Sequence, residues 1–164
     1  MRPTQRRVVL ASTVAGLAVA AVPLWPATAG HTNSVLEAHL NGRAEVGSTA
    51  AIAGDPDGRG EVYVFGIDGD TKTLCYVLTV DKIAPATAAH IHKAGVGTNG
   101  GVVVNLAAPA DGDAADCLTE GEPGKFVGDQ TVADILAHPE DYYVNVHNAD
   151  YPGGAIRGQL SGQH

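Results

Sequence analysis

The stretch AAHIHKAG, residues 88–95, places two histidines one residue apart on a background of small and β-branched side chains. Such a segment favours a β-strand, in which successive side chains point to opposite faces. His90 and His92 therefore share one face, and Ile91 occupies the other. Two neutral imidazoles about 7 Å apart on one face of a strand can offer two nitrogens to a single metal ion.

A second decisive stretch is YYVNVHNADYPGGAIRGQL, residues 142–160. Its first half also alternates, which places Tyr143, Asn145 and His147 on one face and apolar or aromatic side chains on the other. Glycine-rich loops follow both strands and leave room above their ends. If the two strands are neighbours, His147 joins His90 and His92 in a copper or zinc site, with Asn145 and Arg157 as supporting residues.

The remaining pattern predicts an all-β domain with one short helix. Thr131 is positioned to cap a helix over residues 131–138, and Pro139 ends it. The segment Ala107–Gly124, rich in Asp, Gly, Pro and Ala, is predicted to be a long loop. We expect an antiparallel β-sandwich or flattened barrel, immunoglobulin-like or superoxide-dismutase-like. The other predicted strands are 35–40, 61–67, 72–80, 101–106 and 155–161.

Residues 1–29 have the pattern of a cleaved signal peptide. Three arginines precede an apolar run over residues 8–22, and Ala27-Thr28-Ala29 is a small-x-small cleavage site. We therefore expect a secreted, extracytoplasmic protein without a membrane span after cleavage, and a single domain over residues 30–164. Loss of three of the ten basic residues leaves seven against 18 acidic ones, a net charge of −11. Such a charge repels phosphate groups and excludes nucleic-acid binding.

The two cysteines, Cys75 and Cys117, are predicted to form one disulfide in an oxidising compartment. We expect a Cα–Cα distance of about 4.4–6.8 Å. Neither cysteine nor any serine lies in the sequence context of a catalytic nucleophile, so hydrolase chemistry is not indicated. Arg157 alternates with core-directed neighbours, and Glu45 or Asp150 is the expected acceptor for its guanidinium group.

Several of these motifs also resemble one family. The elements AHIHKAG, GTNGGVVVNL and YYVNVHNADYPGGAIRGQL, with AHLNGRAEV at residues 38–46, resemble the CHRD domain found in chordin and in secreted bacterial proteins. The resemblance covers most of residues 35–161. The family has no settled biochemical activity. The resemblance implies a non-catalytic structural or binding module, with a protein or a cell surface as its partner.

Two alternatives to that module remain open. The first is the copper or zinc site of His90, His92 and His147, whose order along the chain distantly resembles that of Cu,Zn superoxide dismutase. The chain shows no evident bridging histidine and no grouped zinc ligands, so dismutase activity is not expected. The second alternative is purely structural: the histidines hydrogen-bond to backbone groups and hold the loop at Gly95–Gly101.

Overall fold

A computed structural model describes residues 35–47 and 53–162 of the chain. These residues form nine β-strands, one α-helix and two short 3₁₀ turns. The helix is α1 (Val132–Ala137), and the 3₁₀ turns are Gly42–Ala44 and Pro139–Asp141. The strands are β1 (Val35–Asn41), β2 (Arg59–Ile67), β3 (Asp70–Asp81), β4 (Ala86–Lys93), β5 (Gly101–Leu106), β6 (Asp113–Thr119), β7 (Tyr142–Asn148), β8 (Ile156–Gln159) and β9 (Ser161–Gly162).

The strands form a single antiparallel sheet that curls into a nearly closed barrel. Their order is β5-β4-β7-β8-β1-β2-β3-β6, and β9 also pairs with β1. The two ends of this order are β5 and β6. A hydrogen bond joins these two regions: the amide of Ala107, just after β5, donates over 2.7 Å to the Tyr76 hydroxyl of β3, the strand beside β6. The all-β antiparallel prediction is confirmed, and of the two predicted forms the barrel is the one observed.

The interior of the barrel is built from the apolar face of each strand. The alternation predicted for residues 142–147 is observed: Tyr142, Val144 and Val146 are fully buried in the core. Val62 and Val64 of β2 are buried on the same side of the sheet. Burying a side chain of this size stabilises the fold by about 1.5–3 kcal/mol relative to leaving it exposed. The histidine-bearing face is therefore the outer face of the sheet.

The prediction of a continuous loop over Ala107–Gly124 is wrong, because β6 lies within it. This strand pairs with β3 along its whole length, from Thr79 opposite Asp113 to Thr73 opposite Thr119. Its sequence DAADCLT contains a single large apolar side chain, Leu118, which is buried. An edge strand needs little apolar surface of its own, and the hydrophobic alternation that reveals inner strands is missing.

The predicted helix and disulfide are both present. Helix α1 begins after Thr131, whose side-chain hydroxyl accepts from the Asp134 amide over 3.2 Å. Cys75 of β3 and Cys117 of β6 are directly opposite in the register and form a disulfide. Their Cα atoms are 4.0 Å apart, closer than the predicted range, because the bridge joins adjacent strands rather than a strand and a loop.

The predicted signal peptide over residues 1–29 lies outside the described residues and stays a prediction. In the part of the chain that the structure describes, every helix is too short to cross a lipid bilayer.

Candidate metal centre

The three predicted ligands meet on the outer face of the barrel. His90 and His92 lie on β4 and His147 on β7, and these strands are antiparallel neighbours. One ring nitrogen from each histidine lies within 4.8 Å of the other two. Three points at that spacing lie about 2.8 Å from a common centre, close to the 2.0–2.1 Å of a metal–nitrogen bond. To bind one ion at that centre, each nitrogen would have to move inward by about 0.7 Å.

Backbone carbonyls orient two of the rings. His92 Nδ1 lies 3.0 Å from the Gly100 carbonyl oxygen, and His147 Nδ1 lies 3.0 Å from that of Pro152. A carbonyl oxygen only accepts, so each Nδ1 carries the proton and each Nε2 keeps its lone pair. Outer contacts of this kind fix the tautomer of metal-binding histidines. The contact of His92 with Gly100 agrees with the predicted hydrogen bonding of the histidines to the loop Gly95–Gly101, whereas the contact with Pro152 was not predicted.

The metal-free cluster pairs two of its ring nitrogens with each other and leaves a third unpaired. His90 Nδ1 and His147 Nε2 are 3.1 Å apart, so His90 donates to His147 in the metal-free protein. Nitrogens bound to one ion at tetrahedral angles are about 3.3–3.4 Å apart, given metal–nitrogen bonds of 2.0–2.1 Å. His92 Nε2 is buried and has no hydrogen-bond partner among the described residues. The cluster thus contains an unsatisfied lone pair beside two nitrogens at ligand spacing.

The surroundings favour the neutral form of all three imidazoles. Burial, followed by the nearby His147 and His92, lowers the pKa of His90 from 6.5 to about 4. Burial also lowers the pKa values of His92 and His147, although the carbonyls of Gly100 and Pro152 partly oppose this. Neutral imidazole is the form that coordinates metals. Protons therefore compete for the nitrogens at a lower pH than the 6–6.5 expected for unperturbed histidines.

Arg157 supports the cluster from the next strand. Its guanidinium carbon lies 3.3 Å from the centre of the Tyr143 ring, and that ring stacks on His92 with centroids 4.7 Å apart. Arg157 also donates to Asn99 Oδ1 (3.1 Å) and to the Thr98 carbonyl oxygen (2.6 Å). One buried cation thus supports the stack beneath His92 and holds the loop that carries the Gly100 carbonyl.

The predicted acidic acceptors of Arg157 are wrong. The guanidinium donates to Asn99 and to two backbone carbonyls of residues 95–98, and neither Glu45 nor Asp150 accepts from it within the described chain. The positive charge of Arg157 nevertheless lowers the pKa of the Glu45 carboxyl group and so partly opposes the effect of burial on that pKa. Burial dominates and raises the pKa of Glu45 from 4.5 to about 7.

Comparison with protein families agrees with this arrangement of strands. The family model described as CHRD domain matches residues 36–160, which span every strand from β1 to β8. The chain belongs to the CHRD-domain family. It matches none of the curated proteins with which it was compared. The resemblance noted in the sequence is therefore confirmed.

One further feature of the CHRD domain lies beside the histidines. Asn145, in the middle of β7, donates from Nδ2 to Glu45 Oε1 over 2.6 Å. The Asn145 side chain is buried, and its Oδ1 has no hydrogen-bond partner among the described residues. Gly154 makes room for this pair, because a Cβ atom there would lie 2.6 Å from both Asn145 Nδ2 and Glu45 Oε1. The sequence placed Asn145 on the histidine face but did not reveal its contact with Glu45.

Proposed function

We propose that this CHRD domain binds one divalent transition-metal ion, zinc or copper(II), through His90, His92 and His147. The observation that carries the proposal is the convergence of three ring nitrogens, one from each histidine, within 4.8 Å. In the described residues this is the one such grouping of three or more His, Cys, Asp or Glu side chains. The proposal assigns a binding function to the module and no catalytic reaction.

The alternative that the histidines serve only the fold explains less of the geometry. A structural histidine in a protein interior has its ring nitrogens paired with donors or acceptors. His147 pairs both ring nitrogens, with the Pro152 carbonyl and with His90, whereas His92 pairs one, with the Gly100 carbonyl. The buried Nε2 of His92 remains unpaired, which is costly for a polar atom shielded from water. A bound cation would satisfy it.

The donor set selects the class of metal. Three imidazole nitrogens suit zinc and copper(II), whereas calcium and magnesium prefer oxygen ligands. Three protein ligands leave a fourth position for water or another small ligand. The cross-strand disulfide and the predicted signal peptide both support an exported, oxidising location. Such a location suits copper(II) and zinc equally, so the titration must include both ions.

Calorimetric titration of the metal-stripped chain, residues 30–164, with zinc and with copper(II) tests the proposal. We expect saturable binding of one ion per chain. The His92→Ala variant should lose more than about 100-fold in affinity, because removing a ligand costs more than the 10–100-fold typical of an outer contact. His39→Ala is the matched control, since its ring is 77% exposed and lies outside the cluster. Absence of saturable binding, or equal loss in both variants, would refute the proposal.

A further inference from the structure

We propose that the amide oxygen of Asn145 faces the fourth coordination position of the three-histidine site and selects its occupant. Ligands that donate a hydrogen bond, such as water and hydroxide, are retained there. Anions that only accept hydrogen bonds are disfavoured. This inference rests on the proposed metal site and adds to it a residue that decides which small ligand completes the coordination.

The register places Asn145 among the ligands. It lies directly opposite His90 in the β4–β7 pair and two residues before His147 on the same face of β7. Side chains directly opposite each other in an antiparallel pair have Cβ atoms about 4.5–5.5 Å apart. The Asn145 amide is therefore adjacent to two of the three ligands. In the proposed site, a single metal-bound water molecule bridges this amide to the ion.

The orientation of the amide follows from its one hydrogen bond. Glu45 follows β1 and the 3₁₀ turn, on the β8 side of Asn145, and holds Nδ2 over 2.6 Å. His90 lies on the opposite side, on β4. Since the oxygen and nitrogen of an amide diverge by about 120°, Oδ1 does not face Glu45, and in the proposed arrangement it faces the β4 side. Asn145 is 3% exposed, and this oxygen is unpaired among the described residues.

The chemistry of an unpaired amide oxygen accounts for the selectivity. It carries lone pairs and no proton, so it can accept a hydrogen bond and cannot donate one. A metal-bound water or hydroxide still has a proton to offer it. Azide and cyanate have none, and their lone pairs would face the lone pairs of Oδ1. Three buried side-chain atoms of the described residues are unpaired, namely His92 Nε2, Asn145 Oδ1 and Gln159 Oε1, and an ion that carries a water molecule would satisfy the first two.

Azide titration of the cobalt(II)-loaded chain, followed by visible absorption, tests this role. We expect weak azide binding in the native protein and about tenfold tighter binding in Asn145→Ala, the effect of removing one unfavourable polar contact. Asn105→Ala is the matched control. Asn105 is the other residue opposite His90, but its side chain donates to the Gly124 carbonyl oxygen. Azide affinity in this control should remain at the native value.

Asn145→Ala leaves the Glu45 carboxylate without its donor, so folding of the variant is checked by thermal unfolding. If it does not fold, the comparison is made between Glu45→Gln and the Glu45→Gln/Asn145→Ala double variant, in which no carboxylate loses a partner. Cobalt binding with equal azide affinity in native and Asn145-substituted chains would overturn the role of Asn145 alone. Failure of the native chain to bind cobalt, zinc or copper(II) would overturn the metal site and this inference together.

Discussion

Acid should destabilise the metal-free domain through His90, and substitution of His90 by Gln should reduce that sensitivity. The pKa of His90 is about 4 in the folded chain and 6.5 as a reference for the unfolded chain. Between these values the unfolded state binds more protons than the folded state. The stabilisation is therefore fully present above pH 6.5 and is lost progressively as the pH falls toward 4.

The size of the effect follows from the two pKa values and from the exposure of the ring. One pKa unit corresponds to about 1.36 kcal/mol, so the interval from 6.5 to about 4 gives at most about 3.4 kcal/mol. His90 is only half-buried, and water screens the charges around it. We therefore expect about 1–2 kcal/mol from this residue. His92 and His147 act in the same direction, because burial lowers their pKa values too.

Glu45 acts in the opposite direction and must be separated from the histidines. Its pKa is raised from 4.5 to about 7, so the folded state binds the extra proton between these values. This contribution stabilises the fold as the pH falls through 7 toward 4.5. The pH dependence of the native chain alone therefore mixes opposing contributions. The difference between native chain and His90→Gln removes the part due to Glu45.

Urea unfolding of both chains at about pH 7 and about pH 4.5, with a chelator present, measures that difference. The native chain should lose about 1–2 kcal/mol more than His90→Gln across this interval. The exposed His39 provides the control substitution, His39→Gln, which should behave like the native chain. An equal loss in native chain and His90→Gln would refute the reasoning.

Two further substitutions test the supports of the site and the barrel. Arg157→Ala should lower the free energy of unfolding, measured in urea, by about 2–3 kcal/mol, because loss of the buried guanidinium leaves the carbonyls of Thr98 and Gly95 without their donor. Unchanged stability would contradict this role. Replacing Cys75 and Cys117 together by Ala should cost about 4 kcal/mol, from the 42-residue separation that the disulfide closes. Equal urea midpoints for that variant and the native chain would contradict the estimate.

Much of the fold could be predicted because side-chain alternation determines which face of a strand is buried. The pattern at residues 142–147 identified both the core face and the histidine face of β7 correctly. Strand β6 could not be found in this way, because an edge strand such as DAADCLT carries little hydrophobic signal.

The convergence of the three histidines could be predicted, and so could the involvement of Asn145 and Arg157, but not the contacts that these residues make. The shared face of His90 and His92 follows from the period of a strand, so their convergence with His147 required only that two strands be neighbours. The orienting groups of Gly100 and Pro152 are backbone carbonyls, which every residue has and no motif marks. The contact of Glu45 with Asn145 joins residues 100 positions apart and depends on the whole barrel.

The sheet order also has a consequence for the path by which the domain folds. Strand β1 lies between β2, which follows it in the chain, and β8, which is made near the end. As the chain is synthesised, β1 can pair with β2 early. The other edge of β1 stays open until β8 and β9 have been made, and the contact of Glu37 in β1 with Ser161 in β9 spans 124 residues. Loop closure over such distances slows folding and leaves an exposed strand edge prone to pairing with other chains. The histidine cluster needs only β4 and β7, with His90 and His147 57 positions apart, so it can form before β1 closes the barrel against β8 and β9.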